Sequence, residues 1–80
     1  MERKEIIEKL NEIFRGVLGN ESIDLTDSTV ASDIEEWDSL AHIQLINAIQ
    51  KEFRVKISAR EMVTWQNIGE MADGLKNKLL

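Results

Sequence analysis

The sequence predicts an all-α fold: a small bundle of three main helices plus one short helix, with a long loop between the first and second helices. Three observations carry that prediction. Apolar residues return every three or four positions in three separate stretches. Serine, aspartate or asparagine stands where the later helical stretches begin. No two alternating stretches are available to pair as a sheet; "RVKIS" at 54–58 alternates but is too short to form one alone. At 80 residues the chain is expected to be one domain, 1–80, burying about 60–65% of its unfolded surface.

The first helix is expected from about Glu2 to Leu18. Ile6, Leu10, Ile13, Phe14 and Val17 make its apolar stripe, and Gly19 follows where a left-handed cap favours glycine. Residues 19–37 show no period. Ile23, Leu25, Val30, Ile34 and Trp37 are scattered among hydroxyl and acidic residues and should pin this loop across the core. Trp37 reads as such an anchor rather than as a stacking platform. Irregular segments of this length are uncommon in small domains and are often functional. The second helix should open at Asp38 or Ser39 and run to Phe53. "SARE" at 58–61 has the serine and glutamate of a capping box, so a short third helix is expected to begin at Ser58. Asn67 caps the last helix, whose stripe is Ile68, Met71, Ala72, Leu75 and Leu79; Gly74 inside it costs about 1 kcal/mol relative to alanine and should soften it.

Composition excludes several functions. Without cysteine there are no disulfides, thiolate metal sites or cysteine nucleophiles, and one histidine cannot build a multi-histidine zinc site, so no metal is expected. No apolar run approaches the ~20 residues of a membrane span. "MERKEIIEKL" lacks the apolar core of an export signal, so a cytoplasmic location is expected. The net charge is -5, and the basic residues form no dominant stripe, which argues against nucleic acid. Glu21, Asp24, Asp27, Asp33, Glu35, Glu36 and Asp38 make the region before Ser39 acidic; Lys51, Arg54, Lys56 and Arg60 cluster about one helix length away.

The joint "EEWDSLAHIQLINAIQKEF", 35–53, carries the functional reading. On a wheel of 100° per residue, His42, Leu45, Ile46, Ile49 and Phe53 form the core face, with Ala41, Gln44, Gln50 and Lys51 outward. Leu40, Ile43 and Asn47 fall on another side, so two bulky aliphatic residues stand off the core beside Ser39 and are candidates for partner contact. Three roles compete for Ser39. It can be a helix cap, as can Asp38. Nucleophilic catalysis would need a base within reach and a strained elbow; there is no G-x-S-x-G, and His42 tends toward the core. Finally, Ser39 can be a point of attachment, because a phosphate ester at a helix N-terminus faces unpaired amides and the positive end of the dipole.

"DSL" at 38–40, opening an aliphatic helix that closes on "EF" at 52–53, resembles the acyl carrier protein family, and the resemblance covers essentially the whole chain. It implies that Ser39 carries 4'-phosphopantetheine, transferred from coenzyme A by a phosphopantetheinyl transferase, with Asp38 as the motif aspartate and helix cap. It also implies that acyl groups ride as thioesters on that arm, and that the protein is a carrier with no catalytic residues. The implied partners are the transferase and acyl-activating, acyltransferase or synthase enzymes, met by a monomer at Leu40, Ile43, Glu35, Glu36 and Asn47. The carriers of fatty-acid synthesis have a strongly acidic second helix and a glycine-containing turn before the motif. This chain has neither, and "WDSLAHIQLINAI" is more similar to free-standing carriers of specialised pathways, acyl or aminoacyl. A non-carrier helical interaction module using Leu40 and Ile43 is the alternative outside the family. The face of the second helix that meets Ile6, Leu10, Phe14, Ile68 and Met71 is compatible with a cavity that opens for cargo, or with an ordinary packed core.

Overall fold

The computed structural model describes residues 1–79. Helices α1 (Arg3–Leu18), α2 (Ser39–Phe53), α3 (Ala59–Thr64) and α4 (Ile68–Lys78) follow in order, with a 3-10 turn at Ala31–Asp33 in the α1–α2 loop and no strand among the described residues. α1 packs against both α2 and α4. Its stripe of Ile6, Leu10 and Phe14 meets Leu45, Ile49 and Phe53 of α2 and Ile68, Met71, Ala72 and Leu75 of α4; Ile23 and Leu25 of the loop close the core. The three- and four-residue spacings within these sets are what one face of a 3.6-residue helix requires.

Helix ends follow local chemistry. Gly19 adopts φ 66°, ψ 31°, and its N–H donates to the Arg15 carbonyl. α2 stops the same way on a non-glycine residue: Arg54 has φ 56°, a left-handed conformation costing an L-residue about 1–2 kcal/mol. Ser58 and Glu61 make the expected capping box, with Ser58 N–H donating to Glu61 Oε1 at 2.9 Å and Glu61 N–H to Ser58 Oγ at 3.1 Å. Asn67 Oδ1 accepts from Glu70 N–H at 2.8 Å.

The loop is ordered by the elements it crosses. Arg15 Nε donates to the Ile23 carbonyl at 2.7 Å, and Leu25 N–H to Asn11 Oδ1 at 2.8 Å. The first amides of α4 donate back into the loop, Ile68 N–H to Thr29 O at 3.0 Å and Gly69 N–H to Asp27 O at 2.9 Å. Arg3 joins three segments, pairing with Asp27 at 3.0 Å and Asp73 at 2.8 Å and donating to the Gly69 carbonyl at 3.2 Å. These two carboxylates push the Arg3 guanidinium pKa further up, chiefly through the hydrogen bond that Arg3 donates to Asp27.

Three positions of α2 depart from the helical wheel. Ala41 is buried at 8% exposure, whereas His42 is only half-buried at the edge of the core. Ala41 shares the four-residue spacing of Leu45, Ile49 and Phe53, so it belongs to their row. His42 lies one step round and turns toward α3. Gln50 is likewise not outward: it is half-buried, and its Oε1 accepts from Ile57 N–H at 2.8 Å, fixing the turn after α2. Gly74 has a packing role. A Cβ there would meet Cε2 and Nε1 of the Trp65 indole at 2.6 Å, so only glycine admits that ring against α4.

Candidate functional site

Ser39 is the first residue of α2, and Asp38 is its cap: Asp38 Oδ1 accepts from Ala41 N–H at 2.8 Å, while Asp38 O accepts the first helical bond from His42 N–H at 2.9 Å. Capping is therefore done by Asp38, which frees the Ser39 hydroxyl. Ser39 is exposed. The amides of Ser39 and Leu40 precede the first intrahelical bond, so a group esterified to Ser39 would stand beside unpaired donors at the positive end of α2.

His42, one turn on, is no general base. Its Nδ1 accepts from Trp37 Nε1–H at 3.0 Å. Its Nε2 lies 3.2 Å from the Met62 carbonyl, an acceptor only, so Nε2 carries the proton and donates it. Both ring nitrogens are committed to holding Trp37 and α3 to α2. Trp37 also meets Phe14 edge-on, with centroids 4.9 Å apart at 88°. It is the expected anchor, but it is at the same time a wall of an open groove.

That groove measures about 510 Å³ and runs from Ser39 between α2 and α3, lined in part by Trp37, His42, Ile43, Met62, Trp65 and Gln66. Leu40 and Ile43 are 67% and 51% exposed, and Asn47 shares their side of α2 at three- and four-residue spacing. Glu35 and Glu36 are exposed on the turn before Asp38; Glu36 accepts from Asn20 Nδ2 at 3.3 Å. The structure thus brings all of Leu40, Ile43, Glu35, Glu36 and Asn47 to the end or open flank of α2. A second concavity of about 350 Å³ lies on the loop near Asp24, Asp33, Glu35 and Glu36, but among the described residues no three metal-ligating groups converge. Sequence reasoning missed Met62, Trp65 and Gln66. The only signal for them was a tryptophan nine residues before a mid-helix glycine, which one sequence cannot decode.

A family model described as "Phosphopantetheine attachment site" matches residues 8–75. The solution NMR structure of a holo acyl carrier protein from Geobacter metallireducens is similar, with 38% identity and a TM-score of 0.87 over 92% of this chain and 85% of that one. The chain belongs to the acyl carrier protein family. As an acyl carrier protein it is a carrier and not an enzyme, and its prosthetic group is covalent 4'-phosphopantetheine. It is served by a phosphopantetheinyl transferase and by acyl-handling enzymes. The residues present fit that group: a free hydroxyl at a helix N-terminus, an adjoining groove, and a chain with no thiol of its own. Among the described residues no helix is long and apolar enough to cross a membrane.

Proposed function

We propose that Ser39 is the residue that carries the phosphopantetheine arm, and that residues 1–80 act as one monomeric carrier domain in the cytoplasm. The observation that carries the assignment is the division of labour at 38–39. Asp38 caps α2, and the exposed Ser39 hydroxyl is left beside two unpaired amides. The arm supplies the thiol on which acyl groups travel as thioesters. The chain's own residues hold the serine at the helix start, keep His42 occupied, and present a surface for the partner enzymes. Leu40 and Ile43 are the apolar centre of that surface, Glu35 and Glu36 its acidic rim, and Asn47 its far edge. The exposed shaft of α2 is neutral at Gln44 and Asn47, which supports service in a specialised pathway with a dedicated acyl-handling partner rather than attraction to a strongly basic one.

Incubating the apo protein with coenzyme A and a broad-specificity phosphopantetheinyl transferase, then taking an intact mass, tests the assignment. The protein gains one phosphopantetheine, and Ser39→Ala gains none while keeping its helical circular dichroism. An alanine variant that still takes the arm refutes the site. In transferase kinetics Ile43→Ala loses kcat/KM by about fivefold or more, as expected for an interface anchor worth over 1 kcal/mol, while Gln44→Ala stays near wild type.

A further inference from the structure

Lys51, Arg54, Lys56 and Arg60 are all exposed and cluster around the end of α2 remote from Ser39. At the rise of an α-helix, the 15 residues of α2 set that end about 22 Å from the serine. The carboxylates nearest in the chain are already engaged, Glu52 by Lys9 at 3.7 Å and Glu61 by Lys78 at 2.8 Å. Among the described residues no carboxylate pairs with any of the four cations. A chain of net charge -5 thus keeps one uncompensated positive region. Arg54 sits in it under strain. It holds the left-handed cap of α2 at φ 56°, where glycine would be relaxed. Strain kept at an exposed residue points to a role outside the fold. The helix dipole favours Lys51 and Arg54 at the end of α2, but it disfavours Arg60 in the first turn of α3. Beside Arg54 a groove of about 470 Å³ opens between α1 and α2. Half-buried Ile13, Val17 and Ala48 give it an apolar lining, and Lys51 and Arg54 stand among its walls. Gly16 leaves its α1 side open, since a Cβ there would meet nothing within 4 Å.

We infer that this end of α2 is a second docking surface, for an acidic segment of the acyl-handling partner that sets one apolar side chain into the groove beside Arg54. The inference rests on the reading of the chain as a carrier with a dedicated partner. Charge complementarity selects the occupant. Glu35 and Glu36 flank Ser39 at one end of α2 and the four cations stand at the other, so a partner with the opposite pattern meets the carrier in one orientation only. An anionic bilayer fits poorly: none of the exposed large apolar side chains, Met1, Leu40, Ile43 and Val63, lies within 51–60, and the net charge opposes approach. A second copy offering its own acidic loop would cover its serine and leave another basic end free, giving an open chain of molecules.

The test titrates the full chain, labelled with nitrogen-15, with a capped peptide of glutamates around one leucine, standing in for the partner's segment. Binding does not require the arm, so its failure is distinct from a failure of the Ser39 assignment, which intact mass reads. The peptide should shift the amide signals of 13–17 and 48–60. Reversing both Lys51→Glu and Arg54→Glu should weaken it by about tenfold or more. Arg54→Gly relaxes the cap, so it should keep or raise the urea midpoint while binding the peptide about threefold more weakly. Shifts elsewhere, or none, overturn the proposal, as does unchanged affinity in Arg54→Gly. An all-glutamate peptide that binds equally well overturns the role of the groove. Vesicles of phosphatidylserine and phosphatidylcholine that broaden the same signals at physiological salt overturn it in favour of lipid. Concentration-dependent shifts of the chain alone, at both 21–38 and 51–60, overturn it in favour of a second copy.

Discussion

The two sides of α2 are built by different means. Toward α1 and α4 the contact is apolar throughout: Ile6, Leu10, Phe14, Leu45, Ile49, Ile68, Met71 and Leu75 are all at most 2% exposed. Toward α3 no residue of the short helix is buried. There α3 is tied to α2 by the His42 bond to the Met62 carbonyl, and its far side is tied to α4 by the Lys78–Glu61 pair at 2.8 Å and by Trp65 seated on Gly74. Ser39 stands on the border. Close packing transmits strain and resists change, whereas a few polar ties open at little cost. The comparison teaches where adjustment is available: a rigid half holds the start of α2, and a lightly tied half lies beside it.

The largest expected effect breaks the rigid half. Phe14→Ala removes a ring at the centre of the core and the edge contact of Trp37, and should lower unfolding free energy by about 3–5 kcal/mol. Urea titration checks it. A loss below about 1 kcal/mol would mean the core is not the main source of stability. Next comes Gly74→Ala, which adds one carbon where Trp65 sits. It should cost about 1–3 kcal/mol, with Trp65 displaced into water and its fluorescence shifted to the red. Hydrogen exchange should rise in α3 and stay near wild type in α1; a uniform rise would erase the distinction between the two halves.

The smallest effect concerns acid. Lys78 first, then the Ser58 amide, hold the Glu61 carboxyl below its ordinary range. A depressed carboxylate contributes stability that is fully present above its unfolded pKa and is lost as pH falls through the folded value. α3 should therefore loosen only in that acidic window. NMR titration of the Glu61 carboxyl carbon should show a midpoint below the ordinary range of a glutamate. Lys78→Ala should raise it, and an unchanged midpoint in that variant would remove Lys78 as the cause.

Much of the rigid half was legible in the sequence because its information is local and periodic. Gly19, Asp38 and Asn67 act where their chemistry placed them, as does Ser58 at the start of α3; Ile6, Leu10 and Phe14 of α1 and Ile68, Met71, Ala72 and Leu75 of α4 are buried, with Ile13, Val17 and Leu79 of the same stripes half-buried against them. The stop of α2 at Phe53 follows from the end of its apolar stripe, but its cap was not readable, since Arg54 adopts a conformation that glycine normally supplies. On α2 the wheel exchanged Ala41 and His42, because a small residue in a core row carries a weak apolar signal. The lightly tied half was the least legible. Trp65 with Gly74, and Trp37 with His42 and Met62, are tertiary pairings that leave no periodic trace. Gly74 read as a softening residue, and its contact with Trp65 is visible only once α3 and α4 are in place.

Locating the arm at one serine tests the central claim most directly. The chain has five serines, and Ser22, Ser28, Ser32 and Ser39 all fall between Arg15 and Lys51, a stretch with no lysine or arginine inside it. Trypsin therefore leaves them on one peptide. Electron-based fragmentation of that peptide from the holo protein must separate Ser32 from Ser39. The account predicts that every fragment containing Ser39 carries the phosphopantetheine mass and every fragment ending before Asp38 lacks it. Phosphopantetheine on a fragment that ends at Ser32 would contradict the account.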